Sequence, residues 1–530
     1  MKKQASFDHL QIIIIILIIC LQVYLCFTMR IQLDEPTYSA LGYRFATGTR
    51  MFVDEWHISQ MFGFLNLPFV QLFMQVTGGT DGIVLFLRFC YLIMSIITFF
   101  LFMKKYGSYP NAFEAGIMIM LFAPLNMMSL SYNTIGIHAL LQAHCLRNTG
   151  NRNSFLAGVL FSCAVLSTPY LVILFAGCLI YEIFRWKERS NKKKSECLWF
   201  LAGIGAMVLL FCIFVFHNSS ISEVVNGLLR LPSRNQNHFS NHNPVLLTGY
   251  RFVLGGWQSF GPFIFLQFLA MVAAAISRNP HAQKACNLLG VVSVAYFMAR
   301  QIIAKDTPSI SNLFLPVALA SFPMMLKEKD SQLKSVYFLF LLDAFFFGFS
   351  SNLGLKSFSQ ALVVSDAAVF MASREKKMKW ISIAMAAFAL ILHTDPVTEN
   401  GAVVLKNGPM KGIKVPEDYA EAYSKTIDFL KQADSLTMSG QYYLVTDSPW
   451  QHMILRHHNS LNFSTFQDTV SKEEYIDLFN ENLKQKQPDN CLLILSNSYQ
   501  GLEISDFDLS DYKISSISDQ VWLLVRNTSE

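Results

Sequence analysis

Two pairs of adjacent carboxylates, Asp34-Glu35 and Asp54-Glu55, stand in the stretch IQLDEPTYSALGYRFATGTRMFVDEWHISQMFGFLNLPF, residues 31–69. Trp56 and His57 follow the second pair. A positioned carboxylate can take a proton from a hydroxyl as it attacks, and a carboxylate beside an imidazole can act as an acid/base pair or as half of a metal site. A plainer reading competes with each. Asp34 suits a helix cap, with Pro36 at an early helical position. Asp54 to His57 suits an ordinary loop with an interfacial tryptophan. Capping and catalysis are compatible, because a cap also fixes a carboxylate in space.

The surroundings make these charges costly. The 530-residue chain is 52% apolar and 14% aromatic, with 46 Phe and only 15% charged residues, whereas soluble domains carry about 25%. The deficit points to a bilayer, and a net charge of +5 spread in short basic clusters between apolar runs argues against nucleic-acid binding. The first run, 11–29, is too long for a signal peptide and no small-residue cleavage site follows it, so it reads as an uncleaved span. Apolar segments near the ~20 residues of a span fall at about 11–29, 83–103, 112–128, 134–146, 154–167, 170–184, 197–217, 251–277, 286–303, 309–326, 335–350, 359–373 and 379–394. That predicts a polytopic α-helical membrane protein of about 13 transmembrane helices.

With a cytoplasmic N-terminus, the inner loops hold 21 Lys and Arg and the short outer loops 7. This asymmetry follows the positive-inside rule, and the cluster RWKERSNKKK at 185–194 dominates it. The 31–82 loop, the 218–250 loop and the C-terminal tail are then extracytoplasmic. The segment 62–76, apolar but short and interrupted by Pro68, predicts a helix lying on the membrane surface as a floor to the acidic loop.

From 395 onward the chain turns polar. Helices predicted over 417–436 and 472–485 alternate with strands at 442–447, 491–496, 512–517 and 521–526, which implies a small α/β domain. The domains expected are thus 1–394, in the membrane with the acidic loop at 30–82, and 395–530 outside it. Nine of the ten Cys precede residue 290, so the tail has no disulfide framework. An extracytoplasmic domain without disulfides leans toward a bacterial plasma membrane protein.

Other groups could bind an anion at the outer face. Arg88 lies inside the second span, where an ionisable residue is a functional candidate or a snorkelling one. Arg230, Arg234, His238 and His242 lie in the 218–250 loop, Arg251 opens the next span, and Lys305 with Asp306 occupies a short outer turn. Arginine and lysine at such positions suit a lipid phosphate. A polar Asn/Ser-rich loop that holds no ligand is the plainer reading. Gly203-Ile204-Gly205 lies inside a span and is not a phosphate loop.

The stretch from about 30 to 105 resembles the GT-C superfamily of membrane glycosyltransferases, in particular the branch of protein O-mannosyltransferases and aminoarabinose transferases. An Asp-Glu pair follows the first span in Leu33-Asp34-Glu35-Pro36-Thr37-Tyr38. An amphipathic run, ALGYRFATGTRMF, leads to the second polar knot, Val53-Asp54-Glu55-Trp56-His57, and a Pro-containing aromatic segment precedes a span that opens with Leu87-Arg88. The family's Lys-Pro-Pro or His-Pro-Pro after the second knot is replaced by His57-Ile58-Ser59-Gln60, and its Thr-Lys-Pro by Ser167-Thr168-Pro169.

The resemblance implies an inverting glycosyltransferase that takes a sugar from a polyprenyl-phosphate donor. Its acceptor would be a lipid, a glycan or a protein at the outer face. Asp34 would be the general base with Glu35 beside it. Asp54, Glu55, His57, Arg88, Arg234, Arg251 and Lys305 would contact substrate, and Glu55, His57 and His238 could hold a divalent metal. Two alternatives remain: a transporter or flippase of lipid-linked sugars, and a surface-polysaccharide polymerase or ligase. Asp343 and Asp366, deep in predicted spans, favour the transporter. The lack of a visible repeat and the early placement of the acidic loop oppose the alternatives.

Overall fold

The computed structural model describes residues 7–32, 34–124, 127–231, 244–277, 279–304, 311–350, 354–373, 396–435, 441–446, 448–455, 459–461, 472–496 and 501–527. The chain is mostly helical, with a small sheet near its C-terminal end. The helices before that sheet are α1 (His9–Thr28), α2 (Asp34–Ala46), α3 (Gln60–Thr77), α4 (Ile83–Tyr106), α5 (Ala112–Leu121), α6 (Tyr132–Leu146), α7 (Asn151–Ser167) and α8 (Leu171–Phe184). After them come α9 (Asn191–Phe216), α10 (Ile221–Arg230), α11 (Pro244–Phe260), α12 (Phe263–Ser277), α13 (Pro280–Ala304), α14 (Ser311–Lys327), α15 (Ser331–Ser350) and α16 (Leu355–Ala372).

Among the described residues, four helices are long and apolar enough to cross a membrane: α1, α4, α9 and Ser331–Phe349 of α15. The uninterrupted span expected over 251–277 is instead broken. α11 and α12 meet at 111°, because Gly261 takes a left-handed φ of 61° and Pro262 cannot continue the preceding helix. α5 is likewise shorter than the run at 112–128, stopping at Leu121. The run at 379–394 lies outside the described residues.

The 218–250 loop also differs from its expected irregular form, since it contains α10. Ser220 and Glu223 form a reciprocal capping box there, which satisfies the orphan donors of a first turn.

Segments expected on one side of the membrane touch one another. At the expected inner end, Tyr109 bonds Asp330 at 2.7 Å, Asn111 bonds the Phe370 carbonyl at 3.0 Å, and Ser195 bonds Asn151 at 3.1 Å. At the other end, the acidic loop, α10 and the C-terminal part pack together. α7 and α9 lie very close: a Cβ on Gly203 would stand 2.1 Å from the Phe155 carbonyl oxygen, and one on Gly158 2.1 Å from that of Phe200.

The C-terminal part starts against α1, where Val397 N–H bonds the Thr28 carbonyl at 2.8 Å. β1 (Val403–Val404) and β2 (Lys414–Val415) pair antiparallel, and α17 (Glu417–Ser435) follows. The main sheet has the order β4-β3-β5-β7-β6, with β3 (Gln441–Val445), β4 (Asn459–Ser460), β5 (Asn490–Leu495), β6 (Tyr512–Ser518) and β7 (Val521–Arg526). β3 runs parallel to β4 and β5, whereas β7 runs antiparallel to β5 and β6. α18 (Lys472–Lys486) leads into β5.

This domain does not build its core alone. On one face of the sheet, Tyr442, Leu444, Leu492 and Ile494 share a core with Ala40, Tyr43, Val70, Ile83 and Val84 of α2, α3 and α4. On the other, Tyr443, Leu493 and Phe479 share one with Trp56 of the acidic loop. The domain also serves the helices in return. The carbonyls of Gly408 and Pro409 accept from the N–H groups of Gly82 (2.9 Å) and Val84 (3.0 Å), filling orphan donors at the start of α4.

Gly203→Val forces α7 and α9 apart and costs about 1–3 kcal/mol. Gly205, two residues on, has nothing within 4 Å of an added Cβ, so Gly205→Val leaves the thermal unfolding midpoint in detergent near wild type while Gly203→Val lowers it.

Candidate functional site

In each acidic pair, the Glu is buried in an ion pair with an Arg. Asp34 keeps part of its surface exposed, whereas Asp54 is itself buried and ion-paired to Arg50 and Lys486. In α2 successive residues point about 100° apart, so Asp34 and Glu35 do not share one environment, while Asp54 and Glu55 are separated by a turn outside any helix.

Glu35 is 1% exposed and so is its partner Arg88. Arg88 Nε donates to Glu35 Oε1 at 2.6 Å and Nη2 to Oε2 at 2.8 Å, a fork-on-fork geometry. Arg88 Nη1 also donates to the carbonyls of Cys26 (2.9 Å) and Met29 (3.0 Å), which belong to the unsatisfied C-terminal end of α1. One guanidinium on α4 therefore ties the end of α1 to the start of α2.

Asp34 is the first residue of α2 and keeps part of its surface exposed. Tyr38, one turn on, packs edge-to-face on Tyr132 of α6 with ring centroids 5.6 Å apart. Burial, and next the charge of Asp34, hold the Tyr38 phenol well above its usual range, so the carboxylate lies within electrostatic reach of this tyrosine pair. The Tyr38 carbonyl accepts from Asn66 Nδ2 at 3.2 Å, fixing α2 on α3. The α3 helix confirms the helical part of the expectation for 62–76, and it buries Phe62, Leu65, Asn66 and Val70.

Glu55 is fully buried, and its Oε2 accepts from Arg44 Nε at 3.0 Å, Arg44 being 1% exposed. Its Oε1 accepts the backbone N–H groups of Trp56 and His57, each at 2.9 Å. Arg44 reaches on to His452 Nδ1 at 3.4 Å, an atom that also lies 2.9 Å from the Tyr442 hydroxyl. Asp54 accepts from Arg50 Nε at 2.9 Å and from Lys486 Nζ of α18 at 2.6 Å, and Arg50 Nη1 donates to Glu223 of α10 at 3.0 Å. Burial raises the Asp54 carboxyl, but the Arg50 hydrogen bond together with Lys486 outweighs burial and holds it below the usual carboxylate range.

The structure thus gathers Asp34, Glu35 and Arg88 at one end of α2, and Asp54, Glu55 and His57 beyond the other. His57 Nδ1 accepts from the Ser59 N–H at 3.1 Å. Among the described residues, no three of His, Cys, Asp and Glu come together as metal ligands. Both Glu55 oxygens are engaged as given above, and His238 lies outside the described residues. So do Arg234, His242, Lys305 and Asp306. Arg251 lies on α11, packed against Gly354 ahead of α16. Sequence reasoning did not find Arg44, Tyr442, His452 or Lys486 as partners of the acidic loop. Lys486 closes a helix more than 400 residues downstream of Asp54, and no local pattern announces that pairing.

No family model and no curated protein matches this chain. Among solved structures it is similar to the apo crystal structure of ArnT from Cupriavidus metallidurans, at 12% identity over 97% of each chain with a TM-score of 0.34. At that score the likeness is one of extent and carries no inference about fold or site.

The depressed Asp54 carboxyl gives a pH dependence with a definite sign. Its stabilisation is complete above the unfolded value of about 3.9 and is lost as pH falls through the lower folded value. The gap in unfolding midpoint between wild type and Asp54→Asn is therefore constant near neutrality and closes at acid pH.

Proposed function

We propose that the chain is an integral membrane glycosyltransferase that moves a sugar from a polyprenyl-phosphate donor to an acceptor hydroxyl at the outer face of the membrane. The observation that carries this reading is the separation of Asp34 from Glu35. Glu35 is spent on Arg88, which anchors the start of α2 to α1 and α4 and so holds Asp34 partly exposed beside Tyr38 and Tyr132. The resemblance of residues 30–105 to GT-C transferases and the basic bias of the inner loops support it.

In this reading Asp34 is the general base. The acceptor oxygen attacks the anomeric carbon as its proton passes to Asp34, the bond from that carbon to the phosphate oxygen breaks, and polyprenyl phosphate leaves. A single displacement inverts the anomeric centre. The charge growing on the leaving phosphate needs cations, for which Arg234, Arg251 and Lys305 are the candidates. Arg88 and Glu35, with Arg44 and Glu55, act as positioning residues, while Asp54 and His57 remain candidates for contact with the donor. A divalent metal held by Glu55 together with His57 or His238 would compete with Arg44 for Glu55.

One observation favours transport instead. Asp343 in α15 and Asp366 in α16 are buried, and among the described residues none of their four carboxylate oxygens has a hydrogen-bond partner. Ionisable groups within a membrane commonly mark ion or proton paths. The two readings part at Asp34.

Asp34→Asn is expected to lower transfer by a factor of about 10²–10⁴, the usual worth of a general base, with membrane insertion and unfolding midpoint unchanged. Retained transfer in this variant removes Asp34 as base. A reporter fused after residue 530 is expected to register outside the cytoplasm, and a cytoplasmic signal would overturn the orientation on which the acceptor side depends.

A further inference from the structure

α10 divides into three sectors around its axis. Glu223, Val224 and Gly227 face the protein. Val224 is buried with Phe45, Met51, Phe52 and Val215, and Glu223 bonds Arg50 at 3.0 Å. Gly227 lies directly on the loop, where an added Cβ would stand 1.7 Å from the Phe52 carbonyl oxygen. Phe52 itself holds a left-handed φ of 65°, so this part of the loop is tightly constrained. Ser222 and Asn226 form a polar sector open to solvent.

The third sector is apolar and, among the described residues, uncovered. Ile221, Val225, Leu228 and Leu229 recur at the i, i+4, i+7, i+8 spacing of one helix face, and they are 71%, 46%, 43% and 74% exposed. Isolated exposed leucines need no explanation, but a continuous apolar stripe does.

What covers it follows from α9. Its apolar part, 197–216, is about 30 Å long at ~1.5 Å per residue, the thickness of a hydrocarbon core. Its other end begins with Lys192, Lys193 and Lys194, which places that end inside. Phe216 then lies at the outer edge of the hydrocarbon. α10 starts five residues later, a step that spans at most roughly 17 Å. Along α9 the apolar side chains Val208, Leu209, Leu210, Ile213 and Phe216 are exposed, as a helix crossing lipid requires, and the stripe of α10 begins within reach of that outer edge.

We propose that α10 lies in the outer headgroup layer of the bilayer, with Ile221, Val225, Leu228 and Leu229 among the acyl chains, and that it sets the height of the second acidic knot above the membrane. Its occupant is the lipid surface. The helix is held to the protein near both ends, by Glu223 to Arg50 and by Arg230 to Glu481 of α18, so its depth in the membrane is passed to Asp54 and to the C-terminal domain. This proposal depends on α9 crossing the bilayer and not on the transferase reading.

The test is photocrosslinking of the full chain in vesicles of phosphatidylethanolamine and phosphatidylglycerol, with p-benzoylphenylalanine replacing one residue at a time. Leu209 of α9 serves as the lipid-facing reference. Replacement of Val225 or Leu229 is expected to give phospholipid-mass adducts at a yield like that at Leu209, and replacement of Ser222 or Asn226 several-fold less. The proposal is overturned by a protein adduct, or no adduct, at Leu229 while Leu209 captures lipid. Equal lipid yields at Ser222 and Leu229 would overturn it as well.

Discussion

The buried Arg88–Glu35 pair is the constraint on which the rest of the site depends. Burying an ion costs several kcal/mol after relaxation, and attraction between the partners offsets this only with good geometry and further hydrogen bonds. Both conditions hold here. Both carboxylate oxygens are engaged, and the spare guanidinium donors close the carbonyl end of α1. The pair is therefore weak as a source of stability but strong as a register mark, because removing either partner strands a buried charge. It ties α1, α2 and α4 at one point and leaves Asp34 one residue away from that point, at the edge of the protein.

The second knot repeats the arrangement at the far side of α2. Arg44 and Glu55 form one buried pair, and Asp54, also buried, pairs with Arg50 and Lys486. Here the partners come from distant parts of the chain: His452 and Tyr442 beside Arg44, α18 beside Asp54, α10 beside Arg50. The acidic loop is thus shared between the membrane helices and the sheet domain, and Trp56 lies in the domain's own core. A domain that borrows core residues from α2, α3, α4 and the loop cannot be treated as a detachable appendage.

Much of this was legible in the residues. Hydropathy located α1, α4, α6 and α9, and the change of period after 395 located α17, α18 and the longer strands. Three features failed to read through for physical reasons. The break at Gly261-Pro262 lies within an otherwise apolar run, so composition alone joined what backbone geometry separates. The Asn/Ser-rich stretch after Phe216 looked irregular, although Ser220 and Glu223 carry a capping box that starts α10. Asp34 and Glu35 belong to one chemical class in sequence, and what separates them is the direction each side chain takes and the presence of Arg88 at the end of one of them. Pairings such as Asp54 with Lys486 are set by tertiary packing and leave no local trace.

We propose that this protein cleaves a lipid-linked sugar rather than moving it intact. The most direct measurement is mass spectrometry of all lipid and acceptor species after purified protein in vesicles is given a polyprenyl-phosphate sugar and a mixture of candidate acceptors. Free polyprenyl phosphate is expected in one-to-one proportion with a glycosylated acceptor whose anomeric centre is inverted relative to the donor. Redistribution of the intact lipid-linked sugar between leaflets, with no polyprenyl phosphate released, would contradict it.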